Sequence, residues 1–141
     1  MFAVLGVLLC SGCTTPSLVS GTCTEGNDNV SLATHMASME VHLNRLFRQF
    51  GQGKIDGHSE EDASALLELQ RKSVVLVPEA WCDLSESERA TRVEQYCFRA
   101  LQMVELLEDL LVCVRNRELE LAKKYLETID QYRRECHVRF G

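Results

Sequence analysis

The chain has 141 residues, which is room for one domain and not two. Its formal net charge is −6 and it has no basic block, which argues against nucleic acid as a partner. Only two prolines occur, and long stretches rich in Leu, Glu, Arg, Ala and Gln lack both glycine and proline, so the expected fold class is all-α.

Residues 1–12 are apolar and uncharged. The run is too short to span a bilayer as a permanent helix and reads as the hydrophobic part of a signal peptide. It ends Leu-Leu-Cys-Ser-Gly-Cys13-Thr, which resembles a bacterial lipoprotein signal, with lipidation at Cys13. Residues 13–30 follow as a flexible linker, polar and aperiodic from Thr14 to Asn29. Processing at Cys13 leaves Cys23, Cys82, Cys97, Cys113 and Cys136, an odd number, so in an oxidising compartment one thiol stays free or bridges to another molecule. These five cysteines contain no C-x-x-C, which removes a zinc ribbon and a C-x-x-C-H haem attachment.

Residues 31–141 read as four amphipathic helices. Helix 1, from Ser31 to Phe50, carries Leu32, Met36, Met39, Leu43, Leu46 and Phe50 at alternating spacings of four and three, one continuous apolar stripe. Gly51, Gly53 and Gly57 then break it. Helix 2 spans Ser59 to Val77, with Ser59 and Asp62 as a capping box and Pro78 as the stop. Its buried face is Ala63, Leu66, Leu67, Gln70, Val74 and Val77. Glu60, Glu61 and Asp62 serve that helix start rather than catalysis. Helix 3 spans Ser85 to Val114 behind a second capping box, Ser85 with Glu88, and its stripe runs from Val93 and Tyr96 through Ala100, Val104, Leu107 and Leu111 to Val114. A polar turn, Arg115 to Glu118, leads into helix 4, Glu118 to Phe140. Loops this short make sequential helices neighbours, so the expected architecture is an antiparallel up-down-up-down four-helix bundle.

Two stripe positions are not plain core residues. His137 and Arg133 lie one turn apart on the inward side of helix 4, and Met36 lies in the stripe of helix 1. In an up-down-up-down bundle helices 1 and 4 are adjacent and antiparallel, which brings Met36 and His137 to the same height, roughly 6–8 Å from one end. A thioether and an imidazole facing each other are the axial ligand pair of a low-spin haem iron. Arg133 in a core-facing position needs an anionic partner, a haem propionate or a nearby acid. His35 and His42 share one edge of helix 1 and lack a third ligand, so a structural or solvated role is expected of them; His58 lies in a polar loop. Cys136, next to His137, is expected to act as a small buried hydrophobe or a disulfide partner.

At these residues the sequence resembles the cytochrome b562 family. Leu32-Ala-Thr-His-Met36-Ala-Ser-Met39-Glu-Val-His-Leu43 is similar to the family's first helix, and Leu119 to Phe140, with Tyr132-Arg-Arg-Glu-Cys-His137, to its last. The resemblance covers about residues 31–141, with helix 2 and its loops matching only in kind. Ala100 stands where the family has an aromatic beside the haem, with Tyr96 one turn earlier. The resemblance implies haem b held by Met36 and His137 as axial ligands, with Arg133 also at the cofactor. It implies an electron-transfer protein of the bacterial periplasm or cell envelope, not an enzyme; the only membrane contact expected is the lipid anchor at Cys13, which comes from the lipoprotein-like start and departs from the family. The redox partner proteins are not specified by it. The competing expectation is a haem-free, lipid-anchored helical interaction protein whose stripes are ordinary core.

Overall fold

The structure, a computed structural model, describes residues 31–140. The leader, the linker and the lipidation site expected at Cys13 lie outside the described residues. Four α-helices make up the fold: α1 (Leu32–Gly51), α2 (Gly57–Ser73), α3 (Glu86–Arg115) and α4 (Leu119–Phe140). A short 3-10 turn, Glu79–Trp81, lies between α2 and α3, and the described residues contain no strand. None of these helices is long and apolar enough to cross a membrane.

Local chemistry sets the boundaries. Ser31 is the N-cap of α1, its hydroxyl accepting from the Thr34 amide. Ser85 and Glu88 form the expected capping box on α3. The box on α2 is displaced from the expected one: Asp56 is the N-cap and Ser59 is its partner. An aspartate caps as well as a serine, so two overlapping boxes competed in the sequence, and the upstream one wins. Helix α2 also stops at Ser73, short of the expected Val77. Two β-branched residues, Val74 and Val75, and the pre-proline Val77 all weaken that last turn, and the Leu76 amide closes a tight turn onto the Ser73 carbonyl at 3.1 Å instead.

Helix α1 packs against α2 and α4, α2 against α3, and α3 against α4. Near the end of α1, Gln49 reaches Asp62 close to the start of α2, while His35 near the start of α1 reaches Ser73 at the end of α2. Arg115 meets Glu60, Gln70 bonds the Ala100 carbonyl, and Arg139 meets Gln95.

The apolar stripes meet in one large cluster containing Leu46, Phe50, Leu107, Leu110, Val114 and Leu126, each at most 2 % exposed. Met103, Leu110 and Cys113 join that core although they lie off the single stripe read for helix 3. A helix packed between two neighbours buries a wider face than one stripe, and α3 touches both α2 and α4. A second, smaller cluster gathers Trp81, Tyr96 and Ala100, with Leu32, Val74 and Phe140 against it.

Candidate functional site: an apolar cavity walled by Met36 and His137

The stripe positions of α1 and α4 divide into two sets. Leu43, Leu46, Phe50, Leu126 and Ile129 are buried, whereas Met36, Arg133 and Phe140 are half-buried and His137 is exposed. The helices therefore do not close over these last positions. They leave a cavity of about 280 Å³ whose walls include Met36, Met39, Arg99, Met103, Arg133 and His137. A second cavity of about 340 Å³, lined by Leu32, Pro78 and Ala80 among others, shares Met36, Tyr96, Cys136, His137 and Phe140 with the first. The two are lobes of one mainly apolar recess, in the size range of small-molecule and cofactor pockets.

The thioether and the imidazole singled out in the sequence come from the first and last helices and wall both lobes. Arg133 walls the first lobe, and its anionic partner within the chain is Asp130. Arg133 Nη2 lies 2.9 Å and Nε 3.2 Å from Asp130 Oδ1, and Arg134 bonds the other carboxylate oxygen. Burial alone would raise the pKa of Asp130, but the hydrogen bonds and charges of Arg133 and Arg134 outweigh it and hold the carboxyl below its ordinary value.

Aromatic rings build the outer wall. Trp81, Tyr96 and Phe140 form a triangle with centroid separations of 5.8, 5.9 and 6.0 Å, and the Trp81–Tyr96 and Tyr96–Phe140 pairs are edge-to-face. Tyr96 is fixed because its hydroxyl donates to the Ser73 carbonyl at 3.1 Å, and burial pushes its pKa up to about 12. It lines both lobes, one turn from Ala100, so an aromatic does stand at this recess even though Ala100 is small. Burial also pushes the Cys136 thiol up. Cys97, Cys113 and Cys136 are free thiols, so Cys136 is not a disulfide partner; it is half-buried and lines the recess.

The remaining histidines sit elsewhere. His42 Nδ1 lies 2.8 Å from Asp62 Oδ1; a carboxylate only accepts, so Nδ1 carries the hydrogen. Gln49 at 3.2 Å and Arg45 at 3.4 Å complete a set of α1 donors around this buried carboxylate. Asp62 thus ties α1 to α2 and does not cap α2, a correction to the sequence reading. His35 pairs with Ser73 at 3.3 Å, and His58 pairs with Glu61 on the surface. Among the described residues no three His, Cys, Asp or Glu side chains converge to hold a bare metal ion.

Arg99 and the two inner methionines were not singled out in the sequence as wall residues. Arg99 lies one position before Ala100 on α3, so its place was readable once Ala100 was assigned to the stripe. Helical charge next to a stripe is usually a solvated flank, which hid it.

Over the described residues, the site and fold together define an all-helical fold with a ligand-sized apolar recess between its first, third and last helices. No protein-family model, curated protein or solved structure matches the chain.

Proposed function

We propose that the chain is a haem b-binding electron-transfer protein of the bacterial cell envelope, with Met36 and His137 as axial ligands. The observation that carries this reading is the pair itself: a thioether on α1 and an imidazole on α4 wall the same mainly apolar recess. The proposed topology is the antiparallel up-down-up-down bundle. It is supported by the contact of Gln49 near the end of α1 with Asp62 near the start of α2, by that of Glu60 near the start of α2 with Arg115 at the end of α3, and by the packing of α1 on α4.

The residues present fit a haem. Met36 offers a soft sulfur and His137 a nitrogen, and the soft donor favours the ferrous state. The apolar walls exclude water, and Tyr96 and Phe140 offer ring faces and edges to a planar guest. Haem, when bound, supplies a one-electron iron couple. Met36 and His137 would both hold the iron and leave no site for a substrate there, which favours electron transfer over catalysis. Attachment to the envelope through Cys13 rests on the sequence alone.

The test is titration of purified protein with haem, read by the absorbance of the reduced form and by quenching of Trp81, which packs on two rings that line the recess. Saturable uptake with a sharp low-spin spectrum is the expected result. Met36→Leu and His137→Leu each remove that spectrum, while shifting the stability of the haem-free protein by no more than about 1 kcal/mol, as expected for positions that are not fully buried. Wild-type protein that shows no saturable uptake sinks the haem reading and leaves the haem-free scaffold.

A further inference from the structure

We infer that Arg99 is the anion anchor of the recess, the group that grips a carboxylate of the bound cofactor and sets the cofactor's orientation. This deepens the haem reading and rests on it.

Two guanidinium groups wall the first lobe, and they are not equivalent. Arg133 is committed to Asp130 through both Nε and Nη2, so these donors are already engaged within the chain, on a carboxylate it shares with Arg134. No ion pair joins Arg99 to a carboxylate among the described residues; the Tyr132 side chain is its main neighbour, and Glu135 acts on it least. Its guanidinium carbon sits 5.3 Å from the centre of the Tyr132 ring. That ring is itself held, because the Tyr132 hydroxyl lies 2.6 Å from Gln102 Oε1 and 3.2 Å from the Arg99 carbonyl. Arg99 is therefore pre-positioned by stacking, half-buried, and uncompensated at the edge of an apolar cavity.

That arrangement selects an amphipathic ligand. The apolar walls take a flat hydrophobic body, and a planar guanidinium takes a carboxylate through two parallel hydrogen bonds. Because the Tyr132 ring already restricts Arg99, little side-chain freedom is lost when the ligand arrives. A haem carries its two propionates on one edge, so gripping that edge at Arg99 fixes which way the macrocycle enters between Met36 and His137. Glu40 also lines the lobe, but it is exposed on α1 and charged like the ligand, so it cannot be the anchor.

The experiment compares wild type, Arg99→Gln and Arg99→Lys in titrations with haem and with haem dimethyl ester, in which the carboxylates are masked. The expected result is that Arg99→Gln binds haem about ten-fold more weakly, while its affinity for the dimethyl ester equals that of wild type. Arg99→Lys recovers part of the loss, because an ammonium keeps the charge but not the fork. Equal haem affinity in wild type and Arg99→Gln overturns the inference. So does an equal loss for both ligands, which would mean that Arg99 contributes packing only. Failure of wild type to take up either ligand removes the haem reading itself, a separate outcome from the other two.

Discussion

Asp130 is buried on α4 and accepts from Arg133 and Arg134, one turn further along the same helix. Its carboxyl titrates below its ordinary value of 3.8. A depressed carboxylate stabilises the fold fully above that ordinary value, and the stabilisation disappears as pH falls through the folded-state pKa. Asp130→Asn should therefore lower stability at neutral pH by about 1 kcal/mol, a modest figure because Arg134 is largely in solvent. The variant and wild type should converge as pH falls through the folded-state pKa of Asp130; urea unfolding curves at neutral pH and across the acid range check this. The need for an anionic partner to Arg133 was legible in the sequence. Which of the two candidate anions supplies it was not, although an acid three residues before an arginine on a helix is a readable pair. Asp62 was misjudged for the opposite reason. Its position near a helix start suggested a cap, and only the packing of α1 across α2 brings His42, Arg45 and Gln49 to it.

At the scale of the element, α1 and α3 end in the same backbone motif with different residues. After α1 the Lys54 amide bonds the Gln49 carbonyl and the Gly53 amide bonds the Phe50 carbonyl, with Gly53 at φ 72°. After α3 the Glu118 amide bonds the Cys113 carbonyl and the Arg117 amide bonds the Val114 carbonyl, with Arg117 at φ 58°. Both are Schellman closures, which need one left-handed residue. Glycine takes that conformation freely, and an L side chain takes it at a cost of about 1 kcal/mol. Gly53→Ala should thus destabilise by about 1 kcal/mol, and Arg117→Gly should stabilise by up to about that amount, both read from thermal or urea unfolding. The sequence made the first stop visible through its glycines. The stop after α3 was legible as a polar turn, but nothing local announced that an arginine would fill the left-handed position. Helix existence and the α1 stripe were readable because period and composition agree there. The end of α2 was not, since valines that look like a continued apolar face also resist the helical conformation.

Across the whole molecule, burial is graded. The cluster around Leu46, Phe50, Leu110 and Leu126 is sealed, while the stripe positions Met36, Arg133, His137 and Phe140 stand open around the recess. Local opening follows burial, so amide exchange should be slowest in the helix turns carrying the sealed cluster and faster by about an order of magnitude or more in the turns carrying Met36 and His137. Adding haem should slow exchange at the open turns selectively; uniform exchange along α1 and α4 in both states would contradict the gradient. The aromatic triangle of Trp81, Tyr96 and Phe140, two of its three contacts edge to face, holds the 3-10 turn against α3 and α4 beside the open region.

The sealed cluster also separates two jobs that most small proteins must do with the same atoms. Leu46, Phe50, Leu110 and Leu126 serve the fold alone, Met36, Arg133 and His137 chiefly line the recess, and Leu43, Leu107 and Ile129 belong to both. Such a division lets the contents of the recess drift under selection, or be redesigned at the bench, while the scaffold that carries it stays intact.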